Sequence, residues 1–288
     1  MGEGTSIEWV TRDGVPGYSW NPWWGCQRVS PGCGEGKSVG GCYAETFSKR
    51  LGLKIWGPQA PRRFFGDAHW AKPLAWERRA KIDRTRPLVF CASMADVFED
   101  RDDLLAERAR LFELIRATPR LVWLLLTKRP QNIKQMVPWG TTWPENVWIG
   151  TTVEDQKRAD ERLPHLVRCP ASIRFVSAEP LLEPIGISFW LGGRRLERTD
   201  GGGWMRHPDP GIARHGGTWW FGVDWLIVGA ESGHGPRPMH EQWVRNLRDH
   251  CAKERVAFFY KQQLDEKKNV VSLPMLDGRQ HAAFPEVR

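Results

Sequence analysis

The sequence predicts a mixed α/β protein of parallel βα units wound into a full or partial βα barrel. Three observations lead there. Short apolar runs without polar alternation recur along the chain, as in strands buried on both faces. Stretches with helical spacing of apolar residues lie between them. The 288 residues have room for six or more such units, since barrels of this kind take roughly 250 residues. A doubly wound open sheet is the other topology that fits the pattern.

In chain order, the strand-like runs are 87–92 (PLVFCA), 121–126 (LVWLLL), 147–150 (VWIG), 173–177 (IRFVS), 225–228 (WLIV) and 256–260 (VAFFY). An earlier strand is expected near 6–9 or 18–20. Helices are expected over 103–117, where Leu104, Leu111 and Ile115 share a face with Leu105 and Phe112 beside it. A polar outer helix is expected over 154–163. A third helix over 240–253 places Val244, Leu247 and Cys251 in one stripe. Residues 188–222 break the rhythm, with nine Gly, four Trp and five Arg in no period. They read as an irregular insertion within a single domain spanning 1–288, of the sort that serves as a functional loop or lid.

No run of 18 apolar residues exists, so no transmembrane helix and no membrane partner are expected. The start of the chain lacks an apolar signal region. Of six cysteines, three are clustered and three scattered. That fits a reducing cytoplasm and a metal or redox site better than a disulfide scaffold. The net charge of +8 is concentrated: residues 49–86 hold eleven Lys and Arg against Asp67, Glu77 and Asp83. Arg62, Arg63, Lys72, Arg78, Arg79, Lys81, Arg84 and Arg86 suggest a nucleic acid or nucleotide partner, and equally a solvated basic face. Seventeen Trp is a high count, which predicts that some line a cleft or meet a flat, stackable partner.

The most informative segment is 20–45, WNPWWGCQRVSPGCGEGKSVGGCYAE, with cysteines spaced C-x6-C-x8-C and punctuated by Gly and Pro. Three thiols without an obvious fourth ligand matter chemically. A structural zinc site closes with four ligands. A 4Fe–4S cubane held by three cysteines leaves one iron open, as required of a cluster that binds S-adenosylmethionine through its amino and carboxylate groups and reduces its sulfonium. Cys26, Cys33 and Cys42 are therefore the expected cluster ligands, with zinc as the alternative metal.

Several motifs carry a family resemblance: Trp20-Asn-Pro, Gly25-Cys26, 29–33 (VSPGC), Cys42-Tyr-Ala-Glu, 174–182 (RFVSAEPLL), 224–233 (DWLIVGAESG), Arg237-Pro-Met and 258–262 (FFYKQ). Over most of its length the chain resembles a phage-associated family of unknown function with a three-cysteine motif. The resemblance implies a radical-SAM-like fold, an iron–sulfur cluster, and genes for three-Cys-motif partner proteins nearby. It names no reaction. The family's usual spacing is C-x6-C-x2-C; here residues 34–41 lengthen the second interval by six. Glycines in that stretch let it bulge outward while the ligands stay close.

In βα barrels the chemistry sits at the carboxyl ends of the strands. Reading past each run gives Ser93 and Asp96, Thr127 and Lys128, Thr151 and Glu154, Glu179, Glu231, then Lys261 and Gln262. Glu179 and Glu231 are the candidate catalytic residues. Ser93, Asp96, Lys128 and Glu154 are the candidate cofactor-binding ones. Each alone also reads as a loop charge or a helix-start residue. The glycine-rich loop 229–235 can offer amides to a phosphate or carboxylate, while His234 and His240 read as solvated loop residues. Three functions are compatible with these residues: a radical-SAM-type enzyme acting on a nucleic acid or nucleotide, a zinc-stabilised nucleic-acid-binding protein, or a metal-dependent hydrolase or nuclease using Asp96, Glu154, Glu179 and Glu231.

Overall fold

A computed structural model describes residues 4, 5, 7–34, 41–192, 196–198, 204–206, 222–233 and 235–286. Its central element is an eight-stranded sheet, curled into a half-barrel, in the order β1 (Tyr18–Ser19), β2 (Leu88–Cys91), β3 (Val122–Thr127), β4 (Val147–Thr152), β5 (Ile173–Ala178), β8 (Trp225–Gly229), β9 (Ala257–Leu264) and β10 (Val270–Ser272). Every neighbouring pair is parallel except β9–β10. Two small antiparallel ladders stand apart: β6 (Leu196–Arg198) with β7 (Trp204–Arg206), and β11 (Met275–Leu276) with β12 (Arg279–Gln280). Most of the segment expected as an irregular insertion, 188–222, lies outside the described residues, as does His234.

The helices are α1 (Tyr43–Arg50), α2 (Asp67–Asp83), α3 (Leu105–Ala117), the short α4 (Ile133–Met136), α5 (Gln156–Leu166) and α6 (Glu241–Glu254). The three expected from periodicity are α3, α5 and α6. On α6, Val244, Leu247 and Cys251 are buried as one stripe. On α3 the buried set is Arg108, Leu111, Phe112, Leu114 and Ile115, while Leu105 faces solvent. The candidate first strand is 18–19; residues 8–10 form a single 3-10 turn instead.

The two faces of the sheet carry two separate cores, as the twofold alternation of strand side chains requires. Val89, Trp123, Leu125, Ile149, Val176, Leu226 and Phe258 pack under the helices. Leu88, Phe90, Leu124, Trp148, Phe175, Trp225, Ile227 and Phe259 fill the other, concave face, closed by Trp9 and Val10. That interior is largely aromatic. Trp9 lies 4.7 Å from Phe90 and 6.1 Å from Trp225, and Trp225 lies 6.0 Å from Trp148 and 6.2 Å from Phe259, mostly edge to face. At Gly150 an added Cβ would stand 2.4 Å from the Phe175 ring, so the glycine makes room for this plug. Among the described residues eight tryptophans belong to the core: Trp9, Trp20, Trp23, Trp70, Trp123, Trp139, Trp148 and Trp225 are all buried.

Candidate functional site

A parallel sheet puts every strand's carboxyl end on one side. The cysteine loop leaves β1 on that side and folds back across the strand ends. Its start is fixed to the loop after β2. Asn21 accepts from the Met94 amide at 2.7 Å and donates to Ser93 Oγ at 3.1 Å, and the Gly25 amide donates to Met94 O. Gly25 has φ +114°, and a Cβ there would meet Ile55 O at 2.5 Å, so this turn into Cys26 admits only glycine without rearrangement. Cys26 then pairs with Trp56, and its carbonyl accepts from the Gly57 amide.

Cys26, Cys33 and Cys42 line one cavity, floored by Phe90 and Leu126 of the aromatic interior and walled by Ser93, Asp96, Thr127, Lys128, Arg129 and Thr152. Its volume of about 180 Å³ equals roughly six waters of liquid, more than one ion occupies. Of the six residues expected to act beside the cysteines, Ser93, Asp96 and Lys128 stand on this wall. Glu154, Glu179 and Glu231 lie outside it, though at the same end of the sheet.

Each cysteine segment is held from a different strand end. After β3, Arg129 places Nη1 3.6 Å from Cys26 Sγ and donates Nη2 to Gln27 O at 3.1 Å. Arg129 is itself fixed by Asp96 at 2.9 Å. After β4, Glu154 accepts from the Gly32 amide at 3.2 Å and pairs with Arg162 at 2.7 Å. A Cβ on Gly32 would stand 3.1 Å from that carboxylate, so the turn before Cys33 is close-fitted. After β8, Glu231 accepts from the Gly41 amide at 3.3 Å and from Arg237, whose guanidinium also donates to Pro31 O at 2.9 Å. Sequence reasoning missed Arg129 and Arg237 as site residues. The first was masked by its neighbour Lys128, and the second lies several residues beyond its strand.

The candidate carboxylates are all neutralised. Asp96 pairs with Arg129, Glu154 with Arg162, Glu231 with Arg237, and Glu179 with Lys261. Burial alone would raise the carboxyls of Asp96, Glu154 and Glu231, but these cations, with amide donors, bring them below the ordinary range. They are spoken for, and their geometry is that of anchors. Among the described residues no three or more His, Cys, Asp or Glu side chains converge on a point as a single-ion site requires.

Burial pushes the Cys26 thiol up to about 12 against the pull of Arg129, and it raises Cys42 as well. Lys128 opposes them. Burial alone would lower it, yet Cys33, Glu154 and Cys42 raise it above its ordinary value. Its Nζ lies 3.4 Å from Thr152 Oγ1. Three thiols facing two cations suit a group that binds as thiolate complexes carrying net negative charge. A cubane takes each cysteine on a different iron, so its ligands stand around a body rather than a point. What the cavity offers is three thiols beside two cations.

Parallel half-barrel and cysteine-lined mouth together define an α/β protein with its candidate site at the carboxyl ends of its strands. Over residues 4–285 the chain matches the family described as Protein of unknown function (DUF5131), and it belongs to that family. No curated protein and no solved structure matches it significantly. No helix among the described residues is long and apolar enough to cross a membrane.

Proposed function

We propose that this chain is a radical-SAM-type iron–sulfur enzyme, with Cys26, Cys33 and Cys42 holding a 4Fe–4S cluster and a nucleotide or nucleic acid as substrate. One observation carries the reading: the three cysteines, distant from one another in the loop, line a single cavity with Lys128 and Arg129 at the mouth of a parallel half-barrel. When bound, the cluster would chelate S-adenosylmethionine at its open iron and supply the electron for reductive cleavage. The chain's own residues do the rest. Arg129, Glu154, Glu231 and Arg237 hold the loop; the aromatic interior keeps the cavity floor dry; Ser93 and Lys128 are available to orient the co-substrate's polar groups. Glu179 stays a candidate through its ion pair with Lys261 at the same rim. Phage association and a three-Cys-motif partner protein rest on the sequence resemblance.

The test is anaerobic reconstitution with iron and sulfide, followed by metal analysis and absorption near 400 nm, then dithionite reduction with S-adenosylmethionine and assay for 5′-deoxyadenosine and methionine. About four irons per chain and both products are expected. Cys26→Ala, Cys33→Ala or Cys42→Ala should each abolish the absorption, and Cys91→Ala, Cys169→Ala or Cys251→Ala should not. Full cluster content in Cys33→Ala, or stoichiometric zinc in its place, would refute the reading.

A further inference from the structure

The basic segment 49–86 is not one surface. Arg62 is wholly buried, paired with Glu99. Arg84 and Arg86 directly precede β2, so they sit at the amino end of the sheet, opposite the cysteines. The cations near the mouth are instead Lys49, Arg50, Lys54 and Arg63, all exposed. Over 43–66 the acids reduce to Glu45, which is taken by Arg28 and Lys49.

Aromatic rings interleave with these charges. Tyr43, the residue after Cys42, is 64% exposed and stacks on Phe47, with 14° between the planes. Phe47 meets Trp24 at 6.1 Å, and Trp24 meets Phe65 at 5.6 Å. The Arg63 guanidinium lies over both Trp24 and Phe65, at 5.1 and 5.6 Å from the ring centres. Phe64 beside them is 43% exposed. This ribbon of rings begins one residue from Cys42 and passes two residues from Cys26. A contiguous run of exposed rings marks an interaction surface, and a surplus of positive charge around it selects a polyanion with flat, stackable faces.

We infer that this rim binds single-stranded nucleic acid, stacking a base on Tyr43 and meeting phosphates with Arg50, Lys54 and Arg63, so that an adjacent nucleotide faces the cysteine cavity. This deepens the proposed function by locating its substrate, and rests on that reading for its purpose but not for its geometry. Duplex DNA keeps its base faces covered and is the poorer fit.

Fluorescence anisotropy with labelled single-stranded DNA and RNA and a duplex of the same sequence tests this, using the full chain before and after cluster reconstitution. Tyr43→Ala should weaken single-strand binding by roughly fivefold to a hundredfold. Arg63→Ala should reduce the slope of log K against log salt by about 0.7. Arg86→Ala, at the far end of the sheet, should change neither. Phe64→Ala provides a second exposed ring should Tyr43→Ala disturb α1. Equal affinity for duplex and single strand, no binding at low salt, or indifference to Tyr43 and Phe64 together would overturn the inference. Iron content is measured on the same samples. Binding by chain that takes up no iron on reconstitution would sustain the rim and count against the cluster; iron uptake without binding would do the reverse.

Discussion

Replacing Glu99 by Gln removes one charge from a buried network without changing its shape. Arg62 and Glu99 have side chains with no exposure at all, joined at 2.8 Å, with Arg129 3.7 Å from the same carboxylate. After the change Arg129 keeps Asp96, while the buried Arg62 guanidinium is left with carbonyl acceptors only. Breaking a buried pair from one side costs about 3–5 kcal/mol, because the remaining charge stays desolvated. For a chain of 288 residues the unfolding entropy is about 0.6 kcal/mol/K, so the thermal midpoint should fall by roughly 5–8 °C. Glu113→Gln is the control, since its pair with Arg116 is 3.6 Å and largely solvated; a shift of no more than about 2 °C is expected there. Calorimetry or thermal circular dichroism on the cluster-free protein reads both. The double change Arg62→Met with Glu99→Leu should recover part of the loss by removing the orphaned charge. It cannot recover all, because Arg62 also donates to the carbonyls of Ile55, Gly57 and Ala60. A Glu99→Gln midpoint no lower than that of Glu113→Gln would show that the network is not what holds this corner.

Three further outcomes are expected. Gly25→Ala should lower stability and cluster retention well beyond Gly52→Ala, since both have positive φ but only Gly25 meets a backbone carbonyl; equal effects in thermal melts and iron analysis would refute the fit at Cys26. Glu231→Gln should loosen the Cys42 end of the loop and speed cluster loss in chelator challenge, with Arg237→Ala behaving alike; unchanged loss rates in both would return Glu231 to a role in chemistry. Asp277, lowered chiefly by its hydrogen bonds to Arg248 and Arg245, ties the β11–β12 ladder to α6. Its contribution is present above the ordinary carboxylate range and is lost as pH falls through its depressed value, so amide protection factors in 275–280, corrected for the intrinsic exchange rate at each pH, should fall in acid and also with salt; indifference to both would remove the tie.

The sheet was legible because its strands are long apolar runs, and α3, α5 and α6 because their stripes are regular. α2 was not. It carries Pro73 inside it, and its only buried residues are Trp70, Pro73 and Ala80, so no apolar stripe marks it among the surrounding charges. The strand ends and the cysteines were found together, because the loops that leave parallel strands all emerge on one side. What each carboxylate does there was hidden, since Arg129, Arg162 and Arg237 are recognisable as partners only when the chain is folded. The basic segment misled for the same reason: sequence proximity merged residues that α2, about 25 Å long, carries to opposite ends of the sheet.

The sheet's two outermost strands, β1 and β10, pair with no common neighbour. The turn over residues 8–10 packs against both β2 and β9 and so spans that break from within. Where the hydrogen-bond ladder stops, side-chain packing takes over, so the relative placement of the two ends of the sheet depends on the rings of Trp9, Phe90 and Phe259 and not on strand register.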